Sequence, residues 1–108
     1  MKRGAIVTAA FSGDFGKPRP AVVIQAELFN ESHSSITVAP ISGTIIEAPM
    51  FRITVDPSPG NGLKKVSQIM VDRVTSLRRE RIGRVIGQAD DDSMLRVTRA
   101  LAVWLGVA

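Results

Sequence analysis

The chain has 108 residues, of which 44% are hydrophobic, 22% are charged and none is cysteine. This is enough apolar material for one compact core, and it excludes a disordered chain, a disulfide framework, a thiol nucleophile and a cysteine metal site. Fourteen Lys and Arg against ten Asp and Glu leave a net charge of +4, an excess whose placement matters more than its size.

In chain order, Ala5–Phe11 is a short apolar run bounded by glycines and reads as a strand. Ser12–Pro18 is a loop rich in breakers. Ala21–Gln25 is a β-branched run suited to a buried strand, with Pro18 and Pro20 placed before it. Asn30–Ser34 is polar and turn-like, Ser35–Ala39 alternates as a strand, and Pro40–Ala48 is a longer connection. Phe51–Val55 alternates with Phe51, Ile53 and Val55 on one face. Asp56–Gly62 is a turn, Val66–Val74 another strand, Thr75–Glu80 a short turn, and Ile82–Gly87 a last short strand.

The C-terminal segment changes character. Asp90, Asp91, Asp92 and Ser93 supply a cap and negative charge for a helix N-terminus. Met94, Val97, Leu101, Trp104 and Leu105 recur at helical spacing, with Arg96 and Arg99 on the other side, and Gly106 stops the helix. Trp104, on the apolar stripe, is expected to anchor the core. The whole reads as one domain, residues 1–108: mainly β, a curved antiparallel sheet or small barrel with a C-terminal α-helix. No apolar run is long enough to span a bilayer. Thr8, Ser12, Gly13 and Asp14 interrupt any leader begun by Met1, Lys2 and Arg3, so a cytoplasmic protein is expected.

Seven of the fourteen basic residues lie between Lys64 and Arg84, opposed there only by Asp72 and Glu80. Such a stretch can face phosphate or an acidic protein segment, or can be a solvated strand-and-turn face. His33 is the only histidine and sits in a surface-turn segment. With no cysteine beside it, a transition-metal site is not expected. No phosphate-binding glycine loop is present.

Several blocks resemble one family. Gly4–Val7 followed by Arg19, Pro20 and Ala21–Val23 is similar to the opening of the MazF/PemK toxins. Val38–Ser42 resembles their strand ending in a Pro-x-Thr/Ser element. Gly62–Ser67 with Val71 and Asp72 resembles their later strand carrying an acidic residue, and Ile82–Gly87 with the closing helix resembles their end. The resemblance covers nearly the whole chain in order. It implies an SH3-like antiparallel barrel with a C-terminal helix, usually a homodimer, that cleaves single-stranded RNA without metal or other cofactor. It also implies an acidic cognate antitoxin on a surface overlapping the RNA site, with operator DNA reached only through that antitoxin. Three features depart from the family: Ala5 replaces an aspartate, the short loop after the first strand lacks the acidic or histidine residue that some members place before the Arg-Pro pair and has Asp14 as its only acidic candidate, and Met70 stands where some members have an arginine.

RNA cleavage without metal uses the 2′-hydroxyl against the adjacent phosphate, so the protein must neutralise phosphoryl charge and move two protons. Arg19 is the first choice for the charge, its backbone stiffened by Pro18 and Pro20. On the residues alone it reads more readily as a strand-end arginine in a salt bridge; the resemblance reverses that in favour of the site. Ser42 is a second donor, or a turn residue before Gly43. Asp72 is a candidate general base, or half of an ion pair with Arg73 that would lower its pKa. Lys17, Phe15, Lys64, Lys65 and Arg73 are candidate RNA contacts, Phe15 through base stacking. Two rival readings share the fold. CcdB-type toxins poison DNA gyrase through a Trp-Gly-Ile end, loosely echoed by Trp104–Ala108. A member without catalysis would bind only RNA or antitoxin.

Overall fold

In the computed structural model, which describes residues 1–107, Ala5–Ala10 (β1) pairs antiparallel with Pro18–Val23 (β2), and β2 with Ser35–Ser42 (β3). Ala108, the last residue of the segment compared with CcdB, lies outside the described residues. Arg52–Val55 (β4), Ser67–Met70 (β5), Thr75–Arg78 (β6) and Ile82–Gln88 (β7) complete one sheet of order β4-β5-β3-β2-β1-β7, with β6 on β3. The sheet is curled and barrel-like but not closed.

Both faces of β1–β3 are buried, which explains their nearly continuous apolar runs. Ile6, Val22, Ala39 and Ile41 join Ile53, Val55, Ile69, Val71 and Val97 in one cluster. The alternate residues Val7, Ala9, Ala21, Val23, Ile36 and Val38 form a second, covered in part by Phe11, Leu77 and Ile82.

The elements depart from expectation at five places. β2 runs Pro18–Val23 instead of Ala21–Gln25, so Pro18 and Pro20 lie inside it, paired with Ala10 and Thr8 of β1. β3 runs on through Pro40 to Ser42 instead of ending at Ala39. Pro40 is the last partner of β2, and Ile41 and Ser42 pair with β5. The proline therefore falls where the ladder changes sheets, and its missing donor does little harm there. The run expected as one strand over Val66–Val74 ends at Met70 in a 3₁₀ turn, Val71–Arg73. The expected turn Thr75–Glu80 contains β6, a mostly exposed edge strand whose side chains carry little apolar signal. A single helical turn, Glu27–Asn30 (α1), was not foreseen; buried Asn30 ties it down by donating to the Met1 carbonyl at 2.8 Å.

The C-terminal helix α2 is Asp91–Leu105. The Asp90 carboxylate accepts from the Ser93 N–H at 2.7 Å. Gly106 closes the helix at φ +73°, a left-handed conformation that costs glycine nothing. Val97 and Ala100 are buried, and Met94 and Leu101 pack beside them. Trp104 is not the expected core anchor: it is 49% exposed, as the last turn extends past the sheet. It instead tilts against Phe51, with ring centroids 5.5 Å apart.

Candidate functional site

Arg19 enters at the start of β2, two residues before Ala21, and Ser42 ends β3, two residues after Pro40, the partner of Ala21. Both therefore stand at the fork where β3 leaves β2. Beside Arg19 opens a cleft of about 440 Å³ whose lining includes Phe11, Asp14, Met70 and three arginines, Arg19, Arg52 and Arg73. Asp14 comes from the β1–β2 loop, folded by turns in which Asp14 donates to Phe11 and Lys17 donates to Asp14. Its Oδ1 accepts from Arg19 Nη2 at 3.0 Å, and its Oδ2 lies 2.9 Å from Nε as an ion contact. The pair holds the guanidinium in place while leaving Nη1 without a hydrogen bond among the described residues. The Arg19 side chain is 39% exposed, within reach of a ligand.

Arg52 was not foreseen as a site residue. Alternation on β4 puts Ile53 and Val55 in the core and Arg52 on the opposite face, across the ladder from Met70. Its fork grips Asp72 through Nε to Oδ1 at 2.7 Å and Nη2 to Oδ2 at 3.1 Å, both side chains being nearly buried. The partner of Asp72 is thus Arg52, not the neighbouring Arg73 that the sequence offers for it. These bonds from Arg52 hold the Asp72 carboxyl below its ordinary range, with Arg73 a smaller contributor. Asp72 is consequently ionised but weakly basic, and it does not itself line the cleft. Each carboxylate here is committed to one arginine, which leaves Arg73 as a cation with no ion pair among the described residues.

The other candidates lie elsewhere. Ser42 Oγ accepts from the Thr44 N–H at 3.0 Å and so closes a turn, leaving its own hydrogen free to donate. Phe15 is 98% exposed at the tip of the β1–β2 loop, with φ +53°, and Lys17 is exposed beside it. Lys64 and Lys65 line a second cleft with Arg84. The Lys64–Arg84 stretch is therefore divided: Arg73 serves the first cleft, Lys64, Lys65 and Arg84 the second, and Arg79 is spent on the carbonyls of Asn30 and His33. A third cleft runs between the Ile45–Met50 segment and α2, with Arg52, Arg96 and Arg99 facing one acid, Glu47. Among the described residues no three His, Cys, Asp or Glu side chains gather as a metal ion would need, and no helix is long and apolar enough to cross a membrane.

Known proteins share both the sequence and this fold. A protein of Mycolicibacterium smegmatis, described as "Probable endoribonuclease MazF", is 41% identical over 109 residues, spanning 100% of this chain and 99% of its own. Among solved structures, the Mycobacterium tuberculosis toxin MazF-mt6 superposes with a TM-score of 0.83 at 23% identity, over 96% of this chain and 98% of that one. An endoribonuclease from a mycobacterial species, solved in complex with its cognate antitoxin, superposes with a TM-score of 0.81 at 18% identity, over 100% of this chain and 97% of that one. Residues 2–105 match the family described as PemK-like, MazF-like toxin of type II toxin-antitoxin system. With sequence and fold in agreement, this chain belongs to that toxin family.

Proposed function

We propose that the chain is the toxin of a type II toxin–antitoxin pair, a sequence-specific endoribonuclease that cleaves single-stranded RNA in the cytoplasm at the Arg19 cleft. The observation that carries this is the grouping of Arg19, Arg52 and Arg73 in one cleft, where Asp14 pairs with Arg19, Asp72 pairs with Arg52 and Arg73 has no ion pair among the described residues. Arginine forks stay charged and match a phosphodiester, and donors fixed before the reaction contribute most to stabilising its developing charge.

In this reading the 2′-hydroxyl gives its proton to solvent as its oxygen bonds to the adjacent phosphorus, the bond from phosphorus to the 5′-oxygen breaks, and that oxygen takes a proton from solvent as it leaves. The products are a 2′,3′-cyclic phosphate and a 5′-hydroxyl. Arg19, aimed by Asp14, neutralises the phosphoryl oxygens, and the Ser42 hydroxyl donates to the same group. Arg73 grips a neighbouring phosphate. Asp72 orients Arg52, so that an arginine reaches the place left vacant by Met70, its cross-strand partner. A carboxylate already holding a fork in this way is a poorer proton acceptor than a free one. Phe15 and Lys17, exposed on the β1–β2 loop, meet the incoming strand.

A homodimer and an acidic antitoxin complete the proposal. The last turn of α2 exposes Val103, Trp104 and Leu105, an apolar patch suited to a subunit contact. A one-subunit mass in sedimentation would contradict it. All three clefts are cationic, which suits an acidic antitoxin segment and leaves operator DNA to be reached through the antitoxin. Association should slow as salt rises; a rate indifferent to salt would contradict charge-guided docking.

The test is incubation with unstructured RNAs in EDTA beside an Arg19→Ala variant of unchanged circular dichroism. The wild type should cleave, and the variant should lose about a hundredfold or more in rate. Absence of cleavage across RNAs of varied sequence would overturn the nuclease reading.

A further inference from the structure

A second cleft, of about 410 Å³, lies between the β4–β5 loop and β7. Its floor is apolar, from Pro20, Ile41, Leu63 and Ile86, and its charged lining is Lys64, Lys65 and Arg84 with no acid. The wall carrying the lysines is built rigidly. Asn61, 5% exposed, accepts from the Ser58 and Leu63 N–H groups at 3.0 and 2.9 Å and donates to the Asp56 carbonyl at 2.8 Å. Gln88 on β7 donates its N–H to the Gly60 carbonyl at 2.8 Å, which ties that loop to the opposite wall. The Arg84 N–H is held in turn by Thr8 Oγ1 at 3.2 Å. The cleft is thus formed before anything binds.

It also adjoins the Arg19 site through the chain itself. Pro20 follows Arg19, and Ile41 and Gly43 flank Ser42. A Cβ built on Gly43 would lie 2.6 Å from Lys65 Nζ, so the ammonium rests over the Ser42–Gly43 turn.

We propose that this second cleft is a nucleotide subsite for the RNA strand that is cut at Arg19, holding a nucleotide beside the scissile phosphate. The base lies on the apolar floor, and its phosphate is held by Lys65 and Arg84 with Lys64 at the rim. An apolar floor under a cationic rim matches a nucleotide, which is a flat π-face joined to an anion. The inference rests on the nuclease reading above and assigns Arg84, Leu63 and Ile86 roles that reading does not contain.

The experiment compares wild type with Lys65→Ala/Arg84→Ala on one RNA that the wild type cleaves and, for binding alone, on truncations of that RNA ending next to the cut on either side. On the full RNA, KM should rise about tenfold while kcat falls less than twofold. The slope of log affinity against log salt should fall by about 0.7, one phosphate contact on a single strand. On the truncation lacking the occupant of the cleft, the two proteins should behave alike. Unchanged KM and salt slope in a folded variant, with the wild type cleaving, would overturn the subsite alone. Unchanged RNA binding with weakened binding of an acidic antitoxin peptide would assign the cleft to the protein partner and overturn it too. No cleavage by the wild type would overturn the nuclease reading and the subsite together.

Discussion

Asp72 is held by an arginine fork in a nearly dry place, so its charge is tied to the stability of the fold. Its pKa lies below that of the unfolded chain, about 3.9 for a free aspartate. The stabilisation is therefore complete above that value and is lost as pH falls through the depressed native pKa. Asp72→Asn should lower stability at neutral pH by roughly 2 kcal/mol, since it leaves Arg52 nearly buried beside a neutral amide. It should also flatten the acid limb of a denaturation series. An unchanged acid limb in the variant would show that another carboxylate sets it. Arg19 was legible as a candidate because two prolines and a matching block mark it. That Asp72 sits in an ion pair was legible too, but its partner was not. Arg52 is twenty residues away in sequence, and only the β4–β5 register brings the two together.

At the scale of elements, α2 shows how far local signals reach. Its two ends were legible because caps are local chemistry: Asp90 satisfies the Ser93 N–H, and Gly106 takes a conformation that other residues resist. Asp90→Ala should cost about 1 kcal/mol in chemical denaturation with an unchanged m-value; a loss below a few tenths would mean that water replaces the cap without penalty. The burial of α2 was less legible. Helical periodicity places Trp104 on the apolar stripe but cannot say where the sheet beneath it stops. The same limit explains β6. Thr75–Arg78 carries mostly exposed polar side chains and forms a strand because β3 offers it a free ladder edge. β3 itself runs through Pro40 because the strand changes neighbours there, a tertiary fact that a proline in isolation argues against.

Across the whole molecule, positive charge is sorted into clefts rather than spread over a face. The curl of the sheet sends four residues of the cluster between Lys64 and Arg84 into two clefts and Arg79 into a structural contact, while Arg78 and Arg81 stay exposed. The residues lining the first cleft come from the β1–β2 loop, from β2, β3, β4 and β5, and from the turn after β5. That convergence makes the site out of residues unremarkable one by one, and it is the reason for reading the cleft as a place where one phosphodiester is gripped and its own 2′-hydroxyl is made to attack. The most direct measurement replaces a single ribose at the mapped cut position with 2′-deoxyribose and follows cleavage in EDTA. The account predicts that the all-ribose RNA yields a 2′,3′-cyclic phosphate and a 5′-hydroxyl, and that the substituted RNA still binds but is not cut at that position. Cutting at the deoxy position, or a 5′-phosphate on the product, would show that water or another nucleophile attacks and would contradict it.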